Sequence, residues 1–528
     1  MKKYTHLLVV ACILSLVQVQ AKETPNVILI YVDDLGYGDL SCQGATKVQT
    51  PNIDQLAADG RKFSDAHSAS AVCTPSRYAV ITGEYPLRAN NGNGTWGPLS
   101  RTSPMIVSTE TLTIGKVFQN KGYKTACLGK WHLGFGKGKS NDWSVPLSPG
   151  PNDVGFDYYW GVPLVNSGSP FVYVENKTIV GYEENDPLMI LNKENKSKGM
   201  KPSPTPRFPE EASVKGPNFF TGALKAHQIY DDEKTGTYLT EKAVDWISKN
   251  KNNPFFLYFA TTNIHHPFTP APRFKGTSQA GLYGDYIHEL DWMVGEIVKS
   301  LEKNKLTDNT LIVFTSDNGG MLNLGGRIAV EKGHKMNGDL LGFKFGAWEG
   351  GHRVPFIAKW PGKIPAGTEC HELISSVDML ATFIALTDQE KSLSLKGKDS
   401  KNILPLFTGD PTVAIRKELL LAPKSGKHLS LRQGDWMFIP GKGSGGFNGS
   451  KPNQHAWGGP AGTQLLKSKN SDIVDGKIKA DAPKTQLYNL KDDKYQTTNV
   501  VNQNTKIAKQ MMQRITEIKS EVKQNNSL

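Results

Sequence analysis

Asn26-Val27-Ile28-Leu29-Ile30-Tyr31-Val32 is a strand-length, almost wholly apolar run that stops abruptly at Asp33-Asp34. A run with no polar alternation suits a strand buried on both faces, the condition of a parallel sheet between layers of helices. The design recurs three times. Residues 123–128 run into Gly129-Lys130-Trp131-His132, residues 254–262 are followed by His265-His266-Pro267, and residues 310–315 run into Ser316-Asp317-Asn318-Gly319-Gly320. Helical segments lie between them at 52–59, 112–121, 237–249 and 284–303. Strands alternating with helices predict an α/β domain with a doubly wound, mostly parallel sheet. Ligands of such sheets sit outside the carboxyl ends of the strands, so four polar strand ends are expected to meet at one rim.

Outward from this frame the texture changes near residue 405. Short strands are expected at 418–421, 429–431, 436–439 and 486–490, followed by an amphipathic helix at 505–522. The organisation predicted is a leader at 1–21, a catalytic α/β domain at 22–405 and a smaller α+β domain at 406–528. Stretches 136–155, 192–217 and 440–462 read as loops, either lining a binding site or inserted at the surface. At 528 residues and 38% hydrophobic content the chain can bury a substantial core.

The first residues read as a secretory signal. Lys2 and Lys3 precede an apolar region at 7–19, and Val19-Gln20-Ala21 supplies small residues for cleavage. Ser15 and Gln18 interrupt the apolar region, which is too short to span a bilayer comfortably. Val9-Val10-Ala11-Cys12 loosely matches a lipidation box but falls too early in that region. An exported protein, periplasmic or secreted and without stable membrane insertion, is expected. Its net charge of +12 is spread along the chain and favours polyanions. No basic-aromatic cluster or reading motif supports nucleic acid as the partner. Cys42, Cys73, Cys127 and Cys370 lack paired metal-ligand spacing and read as two disulfides or as scattered buried thiols.

Chemistry concentrates in Cys73-Thr74-Pro75-Ser76-Arg77, followed by Thr82-Gly83. Pro75 suits the first turn of a helix with Cys73 at its amino end, where free N–H groups and the helix dipole favour an anion. Asp33, Asp34, Asp317 and Asn318 offer hard oxygen donors from two strand ends, suited to calcium or magnesium rather than zinc. Taken singly, each of these is an ordinary cap or turn residue.

Together, Cys-x-Pro-Ser-Arg with its downstream Thr-Gly resembles the signature of type I sulfatases, and the resemblance runs from the first strand to the terminal region. It implies an alkaline-phosphatase-like fold and a nucleophile made from Cys73 by oxidation to formylglycine (3-oxoalanine), which requires a maturation enzyme as partner. It also implies one calcium ion held by Asp33, Asp34, Asp317, Asn318 and the modified Cys73. Arg77, Lys130 in Gly129-Lys130-Trp131-His132-Leu133-Gly134, and Lys344 ahead of Trp348-Glu349-Gly350-Gly351-His352-Arg353-Val354-Pro355 match the sulfate-binding cations. His132 and His265 match the acid–base pair, with His266 the alternative to His265. In the implied mechanism one hydroxyl of the hydrated aldehyde attacks sulfur and His265 protonates the departing oxygen. His132 then takes the proton of the second hydroxyl, which expels sulfate.

Residues 167–176 are similar to segments of bacterial polysaccharide sulfatases and of N-acetylgalactosamine-6-sulfatase relatives. The expected substrate is therefore a sulfated carbohydrate, a 6-O-sulfate in particular. Two rivals are carried forward. One is a phosphodiester or phosphonate monoester hydrolase of the same superfamily. The other is a non-catalytic sulfated-glycan-binding protein, which would be expected to have lost some of these residues.

Overall fold

The computed structural model describes residues 24–138, 143–168, 170–186, 224–322, 324–395, 398–446 and 459–525. The expected leader at 1–21, Ser169, the loop at 192–217 and most of the glycine-rich stretch at 440–462 lie outside the described residues.

A ten-stranded mixed sheet runs through the molecule in the order Thr368–Cys370, Arg61–Phe63, Phe356–Lys359, Thr310–Ser316, Asn26–Val32, Phe255–Ala260, Lys124–Gly129, Tyr158–Gly161, Val174–Glu175, Thr178–Ile179. Its centre is parallel: Asn26–Val32 pairs with Thr310–Ser316 on one side and Phe255–Ala260 on the other, and Lys124–Gly129 pairs with Phe255–Ala260. The four strands recognised in the sequence are thus immediate neighbours, and their carboxyl ends share one edge.

Alternate residues of these strands enter different cores, as a pleated strand buried on both faces requires. Val27, Leu29 and Tyr31 pack with Phe256, Tyr258 and Val313 beneath helices Cys73–Thr82, Ile114–Asn120 and Met379–Leu386. Ile28, Ile30 and Val32 pack with Leu257, Phe259 and Phe314 beneath helices Pro51–Ala58, Thr235–Asn250 and Gly281–Lys303. Each fully buried side chain of this size contributes about 1.5–3 kcal/mol of apolar transfer free energy, so the sheet centre is the most strongly anchored part of the fold.

The flanks depart from the parallel pattern. Phe356–Lys359 is antiparallel to both Thr310–Ser316 and Arg61–Phe63, and Val174–Glu175 and Thr178–Ile179 continue the other edge antiparallel. These strands are two to four residues long, too short to leave a periodicity in the sequence.

Towards the carboxyl terminus, Glu418–Leu421, Ser430–Gln433, Trp436–Ile439 and Gln486–Asn489 form an antiparallel sheet covered by helix Thr505–Asn525. Leu419, Leu431, Phe438 and Met511 share a third core with Ala79, Leu341 and Trp348 of the larger part. Cys42, Cys73, Cys127 and Cys370 are all free thiols, so the scattered-thiol alternative is the one adopted. Among the described residues, no helix is long and apolar enough to cross a membrane.

Candidate active site

Helix Cys73–Thr82 begins with Cys73 in its first turn after the extended residue Val72, and all ten of its residues are buried. Gly83 ends the helix in the left-handed region at φ 67°, the conformation that favours glycine at this position. Cys73 therefore projects from a rigid, fully packed element toward the carboxyl edge of the sheet.

The strand ends deliver their polar residues around it. Lys130 Nζ lies 2.8 and 2.6 Å from the two carboxylate oxygens of Asp33. Arg77 donates to Asp317 Oδ2 at 2.8 Å and lies 3.5 Å from Asp33 Oδ1. Lys344 donates to Asp34 Oδ1, which also accepts from Asn318 Nδ2 at 2.9 Å. The backbone N–H of Asp34 donates to Asp317 Oδ1 at 3.1 Å. Asp34, His132 and Phe345 adopt left-handed backbone at φ 62°, 53° and 77°. That conformation is uncommon for such residues and concentrates at functional sites.

Glycines allow the segments to close up. Gly129, at φ 117°, precedes Lys130, and a Cβ there would sit 1.7 Å from the Ala260 carbonyl of the neighbouring strand. A Cβ on Gly319, beside Asn318, would meet the Gly350 carbonyl at 1.9 Å.

Three carboxylates with ligating atoms within 4.8 Å of one another must share charge. Burial would raise the Asp33 carboxyl, but the charges of Lys130, Arg77 and Lys344 outweigh it and hold it well below the usual range. Burial and the charge of Asp33 push Asp317 up, and burial raises Asp34 against the pull of Lys344. Asp34 Oδ2 and Asn318 Oδ1 are buried without a hydrogen-bond partner. Unsatisfied oxygens facing a carboxylate cluster are what a hard cation with oxygen ligands requires, and the four residues fit calcium.

Both candidate histidines are held neutral. His132 is pulled well below its ordinary value by burial, then by Lys130 and Arg77. Its Nε2 faces the Leu99 carbonyl at 3.2 Å and its Nδ1 faces Cys73 Sγ at 3.4 Å. A carbonyl only accepts, so Nε2 carries the hydrogen and the Nδ1 lone pair points at Cys73. His265 is depressed by burial and by Lys344. Its Nδ1 hydrogen goes to the His266 carbonyl at 2.5 Å, with Asn166 Oδ1 at 3.1 Å, which leaves Nε2 facing Asp34 Oδ2 at 3.9 Å. His266 Nδ1 is buried without a partner. Burial also pushes the Cys73 thiol up against the opposing Lys130 and Lys344, so the unmodified side chain is a protonated thiol and a poor nucleophile.

A cavity of about 350 Å³ opens over Cys73, His132, His265, His266 and Lys344. Arg77 and Lys130 do not line it and are instead paired with Asp33 and Asp317. Sequence reasoning missed Asn166 and Leu99, which orient the two histidines. It also missed Met321, Phe345 and Lys424 in the cavity wall. None stands in a patterned stretch, and Lys424 arrives from beyond the large sheet.

The family model described as Sulfatase matches residues 25–389. An N-acetylgalactosamine-6-O-sulfatase of Bacteroides thetaiotaomicron is 36% identical over 434 residues, covering 80% of this chain and 83% of that protein. The human N-acetylgalactosamine-6-sulfatase is 33% identical over 421 residues, covering 77% of this chain and 71% of that protein. A solved 6S-sulf protein of Bacteroides thetaiotaomicron glycosaminoglycan metabolism superposes with a TM-score of 0.78 at 31% identity, over 94% of this chain and 99% of that one.

Proposed function

The chain belongs to the sulfatase family of sulfuric ester hydrolases, and from that membership we propose that it removes a 6-O-sulfate from a unit of a sulfated polysaccharide. The observation that carries the reading is Cys73 at the head of a buried helix on the cavity floor, with the His132 Nδ1 lone pair 3.4 Å away and the Asp33–Asp34–Asp317 cluster behind it. The N-acetylgalactosamine-6-sulfatase relatives support a 6-O-sulfated sugar as substrate. We further assign the protein to an exported location and to maturation by an enzyme that oxidises Cys73 to formylglycine. The domain division at residue 405 is part of the same reading.

Calcium would be held by Asp33, Asp34, Asp317 and Asn318 together with the modified Cys73, where it would supply positive charge against the bound sulfate. Formylglycine supplies what a thiol cannot: a hydrated aldehyde whose one hydroxyl can attack sulfur while the other is kept for expelling sulfate.

The remaining work falls to residues of the chain. Lys130, Arg77 and Lys344 pair with the three carboxylates, so their negative charge does not repel an arriving sulfate ester. Lys344, the one of these that lines the cavity, contacts the sulfate oxygens. The neutral His132 accepts a proton at Nδ1, on the side of Cys73. His265 binds a proton at Nε2 when the anionic substrate offsets the depressing effect of burial and Lys344, and delivers it to the departing sugar oxygen. Its Nδ1 bonds to His266 and Asn166 fix the ring for that transfer.

The test is release of inorganic sulfate from a panel of singly sulfated monosaccharides and oligosaccharides, with phosphonate monoesters and phosphodiesters alongside, in calcium and after chelation. N-acetylgalactosamine 6-sulfate and related 6-O-sulfates are expected to turn over fastest, with the rate lost on chelation and restored better by calcium than by zinc. Faster turnover of the phosphorus esters would replace this reading with the phosphoester alternative. Binding of sulfated glycan without release would replace it with the binding protein.

A further inference from the structure

A second buried cluster lies beyond the residues that line the cavity. His67 and His352 face each other through Nδ1 at 2.9 Å. Their other nitrogens are committed: His67 Nε2 lies 2.8 Å from Asp65 Oδ1, and His352 Nε2 lies 3.1 Å from the Ala347 carbonyl. Both partners only accept, so each Nε2 carries a hydrogen and each neutral ring is left with a lone pair on Nδ1. Two lone pairs cannot rest at hydrogen-bond distance without a cation between them.

Glu349 brings a third donor. Its Oε2 accepts from Arg353 Nε at 2.7 Å, while Oε1 is buried with no hydrogen-bond partner. The ligating atoms of His67, Glu349 and His352 lie within 4.8 Å of one another, and none of the three residues is more than 1% exposed. A histidine whose far N–H is given to a carboxylate or a backbone carbonyl is the arrangement that orients imidazoles toward a metal.

We propose that His67 Nδ1, His352 Nδ1 and Glu349 Oε1 bind a zinc ion in a structural role, apart from the cation of the Asp33–Asp317 cluster. Two imidazoles and a carboxylate suit zinc, whereas the all-oxygen donors of the other cluster suit calcium. A proton between the rings would join them but leave Glu349 Oε1 unmet; a dication serves all three atoms. Two segments would be tied together by it. One leads from Ser64 toward Cys73, and the other, 347–353, holds the turn after Asn318 through the Gly319 N–H to Gly351 carbonyl bond of 3.0 Å. The proposal does not depend on the substrate reading.

Full-length protein produced in zinc-supplemented medium and desalted into calcium buffer is the material to test, by elemental analysis and zinc-edge X-ray absorption. About one zinc per chain is expected, with two imidazole nitrogens at about 2.0–2.1 Å and a carboxylate oxygen. Glu349→Gln and His67→Ala should drop the content to about a tenth or less, while Asp317→Ala keeps it. The absorption spectrum of the unsubstituted protein decides the matter if those variants fold poorly. Absence of stoichiometric zinc, a shell without imidazole, or zinc lost in Asp317→Ala would overturn the proposal; the first outcome would leave a proton shared between the rings.

Discussion

His132 and His265 sit on opposite sides of the same reaction, and hydrogen bonding at the far nitrogen of each ring gives them different tasks. His132 has its lone pair against Cys73, and His265, which lines the cavity, has Nε2 facing Asp34 Oδ2. His265→Ala should slow esters of poor leaving groups, such as sugar alcohols, by about 10²–10⁴-fold and activated aryl sulfates far less, because one proton donor is worth that much. His132→Ala should slow both classes alike, since its proton transfer follows departure of the alcohol. Initial rates across a leaving-group series make the measurement. A flat series for His265→Ala with a steep one for His266→Ala would move the acid to the neighbouring ring. The sequence made nearly every one of these residues legible: the histidines follow the ends of apolar runs, and Cys73 heads the Cys-Thr-Pro-Ser-Arg motif. It left the choice between His265 and His266 open, and both line the cavity. The orienting contacts of Asn166 and Leu99 leave no such mark, because a carbonyl or amide in a loop acquires its role only through tertiary approach.

At the scale of elements, the site depends on strands standing close enough for their ends to converge. Gly129→Ala would force a methyl into the Ala260 carbonyl and demand left-handed backbone from a residue that resists it. The expected cost is about 2–4 kcal/mol, read as a lower urea midpoint, together with loss of activity as Lys130 is displaced. Helix Gly281–Lys303 carries a second device. Its Glu289 accepts from Asn263 Nδ2 at 3.1 Å, and the Asn263 carbonyl accepts from the Asp33 N–H at 3.1 Å. Burial pushes the Glu289 carboxyl up to about 8. Because the folded value exceeds the ordinary value of about 4.3, the folded state binds the extra proton. Stability is then lost as pH rises between those two values and changes no further above them. Glu289→Gln should match the parent protein near pH 4.5 and exceed it at pH 8 by up to about 4 kcal/mol, measured by denaturant titration at both. Equal stability at pH 8 would mean that the carboxyl ionises without penalty. The four long parallel strands and the longer helices were readable from periodicity. The short flanking strands were not, because two to four residues cannot carry a period and their direction is set by neighbours.

The whole molecule joins two sheets around one cavity. Lys424, shortly after strand Glu418–Leu421 of the antiparallel sheet, reaches the wall shared by Cys73 and Lys344. Its backbone N–H donates to the Phe345 carbonyl at 3.0 Å. Lys424→Ala should raise KM for an anionic glycan several-fold with little change in kcat, as expected of a cation that holds substrate away from the reacting bond; an equal fall in kcat would assign it to the chemistry. This meeting of distant segments was invisible in the sequence, where the terminal region shows short strands and a helix but no hint of which face docks. In the proposed mechanism, sulfate-ester hydrolysis runs through an oxidised Cys73. Its most direct measurement is mass spectrometry of the Cys73 peptide from preparations matured to different extents, each assayed for sulfate release. A peptide about 18 Da lighter than the cysteine form is expected, in a fraction that tracks the specific activity and is absent from inactive protein. Full activity from protein whose Cys73 remains an intact thiol would contradict it.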